Sequence, residues 1–279
     1  MALVPFPNKA AKLPDEEVEP DWDDQPGESD PGGGKMSFLE HLDELRRRII
    51  YSLVAVGVGF GVAIFYVDEI QAFIMLPMQQ MLPAGQTLSF IDPGEGFFLQ
   101  IKIAVLAGLL VASPVVFSQV WLFIAPGLYA HEKKMAIPFI AMSSVLFVAG
   151  AAFSHYIVFP IVWKFFASFQ NEFIRFEPRV EPSFATYLRL ILACALTFQL
   201  PTIVLFLARM GMITPGFMIR KFKYAFMIIM VAAAVLSPDG GGVGMLAMGG
   251  PVTVLYVLSI GLAWLFGKKR KKPEADEDE

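Results

Sequence analysis

Glu44 and Glu132 are unusually placed carboxylates: each lies beside the start of a long apolar stretch and among basic residues. Glu44 sits three and four residues before Arg47 and Arg48, a spacing at which a helix lets it pair with either. Glu132 precedes an apolar run, where an acid complements the positive end of a helix dipole. The third polar outlier is Gln199, in the middle of an apolar run and two residues before Pro201. A proline removes an amide hydrogen and frees a carbonyl. The Gln199 amide either repairs that local defect or lines a polar cavity inside an apolar layer.

Other reactive chemistry is missing from the pattern. There is no G-x-S-x-G, no H-E-x-x-H and no P-loop, so the chain is expected not to be an enzyme. His41, His131 and His155 lie in different segments and share no ligand spacing. The methionines form no regular stripe. The single cysteine, Cys194, excludes an internal disulfide and offers no metal cluster. No cofactor and no metal are expected.

The elements that position these residues are long and apolar. Leu, Ile, Val, Phe, Met and Ala dominate Ile49–Val67, Ile103–Ala130, Met135–Trp163, Leu190–Ala208, Tyr224–Leu236 and Val243–Phe266. A membrane span needs roughly 20 apolar residues. Four stretches meet that, the fifth is too short to cross comfortably, and the sixth has a glycine-rich approach at Gly240–Gly242 and Gly244. The expected fold is all-α: a polytopic membrane protein with six transmembrane helices, the last two short or irregular, forming a thinned, concave bundle.

Charge orients the spans. Arg46, Arg47 and Arg48 precede the first. Lys133 and Lys134 lie between the second and third, and Arg209, Arg220, Lys221 and Lys223 between the fourth and fifth. Lys268, Lys269, Arg270, Lys271 and Lys272 follow the sixth. The opposite side carries only Lys102, Lys164, Arg175, Arg179 and Arg189. The positive-inside rule therefore places both termini in the cytoplasm. The composition agrees, with 56% hydrophobic and 17% charged residues against about 45–50% and 25% in soluble domains.

The net charge of −4 hides an asymmetry. Residues 1–36 carry nine acids against three lysines, and residues 268–279 carry five of each. The membrane body, 37–267, is slightly positive, with nothing to suggest a nucleic-acid partner. Residues 1–36 lack the apolar core of a signal peptide and read as a disordered acidic cytoplasmic extension. Residues 268–279 read as a charged cytoplasmic tail.

Ser37-Phe38-Leu39-Glu40 has the form of a capping box. Phe38, Leu42 and Leu45 behind it make one face of an amphipathic surface helix that runs into the first span. The apolar residues of the first exported loop, among them Phe73, Ile74, Met75, Leu76, Met78 and Met81, predict short interfacial helices broken at Pro77 and Pro83. Ser113-Pro114 predicts a kink, Leu128–Lys134 a tight turn, and Trp163 an interfacial anchor.

Two of these segments carry a family likeness. Ser37-Phe38-Leu39-Glu40-His41-Leu42-Asp43-Glu44-Leu45-Arg46-Arg47-Arg48 closely resembles the N-terminal signature of the TatC family, receptor subunits of the twin-arginine protein translocase. Gln119-Val120-Trp121-Leu122-Phe123-Ile124-Ala125-Pro126-Gly127-Leu128-Tyr129-Ala130-His131-Glu132-Lys133-Lys134 resembles that family's first cytoplasmic loop. Pro77, Phe159-Pro160, Gly211-Met212-Ile213-Thr214 and Ser237-Pro238-Asp239 fall where the family places similar residues.

The resemblance implies a receptor for the twin-arginine signal peptides of folded proteins, exported at the expense of the proton-motive force. Glu44 and Glu132 would accept the paired arginines, with Phe123, Leu128 and Arg46 beside them. It also implies TatA- and TatB-like single-span partners and a possible homo-oligomer in the lipid bilayer of the bacterial inner membrane. The family often carries a glutamate where this chain has Gln199, so the role implied there needs polarity rather than charge. It often carries a glutamine early in the sixth span, where this chain has Gly240–Gly244. The short fifth span and the sixth make a docking edge for partners, at Met227, Met230, Ser237, Asp239 and Met245. The rival expectation is a six-span secondary transporter of a small solute, which needs a midplane site with ion-coupling residues.

Overall fold

A computed structural model describes residues 38–82, 88–124, 136–173, 176–236 and 242–266. The extension 1–36, the tail 268–279 and the segment holding Leu128 and Glu132 lie outside them, as do Ser37, Pro83, Ser237 and Asp239. The described residues are all-helical. Helix α1 is Phe38–Phe65, α2 Val67–Gln79, α3 Glu95–Ile124 and α4 Ala136–Phe153. A π-helical turn, Ser154–Val158, leads into α5, Phe159–Ala167. Then come α6 (Val180–Thr197), α7 (Leu200–Arg209), α8 (Pro215–Arg220), α9 (Phe222–Leu236) and α10 (Gly242–Phe266).

These helices make six spans. Leu39–Phe65, Glu95–Ile124, Ile137–Ala167, Val180–Arg209 and Gly244–Phe266 are long and apolar enough to cross a membrane. The remaining span, the fifth in chain order, is α9, whose 15 residues reach about 22 Å, short of a hydrocarbon core of about 30 Å. Helix α10 has 25 residues and carries Pro251 in its interior.

Proline chemistry explains the local shapes. Pro114 lies inside α3, where its missing N–H deprives the Leu110 carbonyl of a helical partner. The Ser113 hydroxyl donates to that same carbonyl at 2.7 Å, so the helix runs on for 30 residues. Pro160 stands at the start of α5. Immediately before it the Phe159 N–H donates back five residues to the Ser154 carbonyl. The π turn thus absorbs the proline without ending the span. Pro201 is met differently: α6 ends at Thr197 and α7 begins at Leu200, with Gln199 between them as the N-cap residue.

Two expectations need correction, and one beside them is met. Pro77 does not break a helix; it lies within α2, whose Ile74, Met75 and Met78 are buried. Only the last turn of α2 follows that proline, so few backbone bonds are lost against much burial. The amphipathic start does run into the first span: α1 is unbroken from Phe38 to Phe65, and no proline interrupts it. Trp163 is not an interfacial anchor: the residue is 3% exposed and its ring stacks on Phe159 at 5.3 Å.

The main core lies between α2, α3, the α4–α5 span and α6, around Met78, Ile103, Phe159, Val162, Phe184, Tyr187 and Leu190. A smaller cluster joins α7, α8 and α10 through Val204, Ala208, Met218 and Ala263. Glycine sets two close crossings. A Cβ on Gly108 would lie 2.5 Å from the backbone nitrogen of Phe60, and one on Gly59 would lie 2.6 Å from the Gly108 oxygen. Helices α1 and α3 therefore touch backbone to backbone. Gly150 lets α4 approach Cys194 and Ala195 of α6 in the same way.

Candidate functional site

Helix α1 begins, and α3 ends, at one end of the bundle, and the two meet through side chains as well as glycines. The Arg48 guanidinium donates from Nη2 to Glu44 Oε1 at 3.0 Å and from Nη1 to Gln119 Oε1 at 3.2 Å. The first contact follows from the i, i+4 spacing. The second crosses to α3 and is invisible to any local rule. The Glu44 side chain is 17% exposed and that of Arg48 26%. Glu44 Oε2 and Arg48 Nε are shielded from solvent and have no hydrogen-bond partner among the described residues. Half of the carboxylate is therefore uncommitted in a partly dry setting, where a charged partner is worth more than at an open surface.

Around this pair the surface changes character. On one side Glu40, Asp43, Glu44, Arg47, Arg48 and Tyr51 line a polar recess. On the other an apolar groove runs between α1 and α3, past Leu45, Ile49, Val116 and Phe123. The Phe123 ring stacks on the His41 imidazole, with centroids 4.5 Å apart and planes 17° from parallel. Arg46 is exposed on α1 and points away from the face that holds Glu44, two residues round the helix. The structure thus brings Glu44 and Phe123 to one place. Gln119, Arg48 and His41 join them, which sequence reasoning missed; Arg48 was legible only as a pairing partner of Glu44.

Gln199 is buried, and its amide donates to the Ser143 carbonyl of α4 at 3.0 Å. It neither repairs the Pro201 defect locally nor points into open space. The Ser143 hydroxyl in turn accepts from the Trp121 indole at 2.9 Å. Trp121 packs face to face on Phe139 and edge-on to Phe206. A polar thread thus ties α3, α4 and the α6–α7 break together near the Glu44 end. A second buried pair joins the π turn to α6, where His155 Nδ1 and the Tyr187 hydroxyl are 2.9 Å apart. Phe73 of α2 stacks on His155 at 4.4 Å.

At the far end the loops are tied to each other. The Val180 N–H donates to the Ser89 carbonyl at 2.9 Å, and Lys102 pairs with Glu181 at 2.9 Å. On the proposed docking edge, Met227 is 58% exposed. Met230 lies against Gly249 of α10, and Met245 packs against the main core. Among the described residues no group of three or more His, Cys, Asp or Glu side chains could hold a metal ion.

The chain has close relatives. Residues 40–251 match the family model for the Sec-independent protein translocase protein TatC. The TatC protein of Koribacter versatilis (strain Ellin345) is 41% identical over 249 residues, covering 87% of this chain and 91% of that one. The TatC protein of Desulforapulum autotrophicum is 35% identical, covering 88% and 89%. A crystal structure of the twin arginine translocase receptor TatC superposes with a TM-score of 0.70 at 33% identity, covering 81% of this chain and 99% of that one. The same receptor crystallised in the detergent DDM gives 0.72 at 33% identity, covering 82% and 100%.

Proposed function

The chain belongs to the TatC family of Sec-independent protein translocase proteins, and from that premise we propose that it is the receptor subunit that binds the twin-arginine signal peptides of folded proteins. Glu44 carries the reading: a carboxylate with one oxygen shielded and uncommitted, at the junction of a polar recess and an apolar groove. A signal peptide of this class presents cationic arginines followed by an apolar segment, and that junction offers complementary surfaces in the same order. A guanidinium fork matches a carboxylate through two parallel hydrogen bonds, which a lysine cannot reproduce. Glu132 would supply the second carboxylate and Leu128 an apolar neighbour; both roles rest on the motif likeness. Phe123, held by His41, forms the floor between recess and groove.

The receptor acts with TatA- and TatB-like single-span proteins, in the bacterial inner membrane and with both termini in the cytoplasm, and the proton-motive force drives transport. The partners dock along α9, whose Met227, Ile228, Val231 and Val235 face outward. A short span relieves its mismatch by associating with another helix. The secondary-transporter reading is disfavoured by Gln199, whose amide is committed to the Ser143 carbonyl rather than open to a solute.

The test is crosslinking of a twin-arginine peptide to Glu44→Gln, Glu132→Gln and the double variant. Each change keeps volume and removes charge, so a charge-assisted pair becomes a weaker neutral one. The folded variants should lose crosslinking, the double at least as severely as either single change. Glu172→Ala in the far loop should not. Normal binding by the folded double variant would overturn the assignment.

A further inference from the structure

We propose that Arg48 is a built-in competitor for the Glu44 carboxylate, and that Gln119 receives it when a ligand arginine takes its place. The inference rests on the reading that Glu44 binds a ligand guanidinium. It adds a device that sets which cations can enter.

Arg48 spends its two terminal nitrogens on different partners. Nη2 goes to Glu44 Oε1 on its own helix and Nη1 to Gln119 Oε1 on α3, at 3.0 and 3.2 Å. The Gln119 amide nitrogen donates to Ser118 Oγ at 3.2 Å, which turns the amide oxygen toward Arg48. An ordinary i, i+4 pair on a helix surface leaves both carboxylate oxygens to water. Here Glu44 Oε2 and Arg48 Nε are shielded and without partners among the described residues. The Arg48 contact is end-on. It half-satisfies the carboxylate and leaves the fork geometry unmade.

An incoming guanidinium that opens the site and displaces Arg48 makes that fork on both oxygens of Glu44. It then meets the positive charge of Arg48 a few ångströms away, and the two cations compete. Arg48 yields cheaply because Nη1 already rests on a neutral acceptor, Gln119 Oε1. Exchange of one arginine for another keeps the number of charge pairs constant and gains a second hydrogen bond. An incoming ammonium offers a compact point charge instead of a fork. It replaces the internal guanidinium at a loss, and Arg48 stays. Discrimination of arginine from lysine therefore arises as a difference between ligand and internal competitor, beyond the contact itself.

The full-length chain in lipid nanodiscs is titrated with a fluorescent peptide carrying two arginines before an apolar segment, and with its twin-lysine counterpart. Arg48→Gln removes the competitor: twin-lysine affinity should rise by about tenfold and twin-arginine affinity by about threefold, narrowing their ratio. Gln119→Leu removes the alternative acceptor and should weaken twin-arginine binding by about threefold with Glu44 intact. Gln119→Glu draws Arg48 off Glu44 and should strengthen it. Arg48→Lys, which keeps the charge that orients the span, should move both affinities in the direction of Arg48→Gln by less.

If Arg48 and Gln119 merely tether α1 to α3, both Arg48→Gln and Gln119→Leu will weaken or leave unchanged both peptides. That shared sign overturns the competitor. Glu44→Gln separates the two ideas. Lost binding there, with shared signs at Arg48 and Gln119, removes the competitor and keeps the receptor reading. Normal binding by Glu44→Gln removes both.

Discussion

Single atoms decide the closest contact in this molecule. A methyl group on Gly108 would sit 2.5 Å from the Phe60 backbone nitrogen, and backbone on both sides cannot give way as a side chain can. Gly108→Ala should therefore destabilise the protein by about 1–3 kcal/mol, as overpacking does, read as a lower midpoint of thermal unfolding in detergent. Gly57 and Gly61, two residues either side of Gly59 and so on the opposite face of α1, have nothing within 4 Å of an added Cβ. Gly57→Ala and Gly61→Ala should be neutral or stabilising by up to about 1 kcal/mol from helix propensity. Equal losses at all three would show that α1 and α3 do not cross where the glycines meet. The same locality governs what the sequence reveals. Glu44 stands out because its charge is rare beside an apolar run, and Arg48 is reachable by helical spacing. Gln119 is 71 positions from Arg48, and no periodicity connects them. Gln199 is legible as a polar outlier, whereas its partner is a backbone carbonyl of another helix and leaves no mark in the residue types.

At the level of elements, hydrophobic length predicted the spans and proline chemistry decided their details. Six apolar stretches are six spans, but three helices start well before their apolar cores. Helix α1 starts at Phe38 rather than Ile49, α3 at Glu95 rather than Ile103, and α6 at Val180 rather than Leu190. Amphipathic turns that bury Leu99, Phe184 and Tyr187 extend a helix without reading as membrane-spanning. Tyr224–Leu236 is α9 save for two residues at its start, because nothing flanks that stretch to lengthen it. Its outward and inward faces now separate the expected docking positions. A cysteine at Met227 should crosslink to a single-span partner helix, whereas cysteines at Met230 and Met245 should react weakly, being turned to α10 and to the core. Crosslinks confined to α1 or to the α4–α5 span would move the docking edge away from α9.

For the whole molecule, the His41–Phe123 stack and the Arg48–Gln119 bond place the start of α1 beside the end of α3, as an even exchange of sides between successive spans demands. The positive-inside rule assigns the arginine-rich start and the lysine-rich tail to the cytoplasm, and on that proposal a cytoplasmic reporter fused after Lys272 should be active and an export-dependent one silent. The reverse pattern would overturn the orientation. The backbone contact at Gly59 also divides α1 unequally. About 31 Å of helix lies between it and Phe38, and about 9 Å between it and Phe65. A rigid rod rocking on that fulcrum is a reducing lever with a ratio of about 3.5 to 1. A rigid tilt of α1 about that crossing would move its Phe38 end about 3.5 times as far as its Phe65 end, beyond which α2 is held by Phe73 on His155.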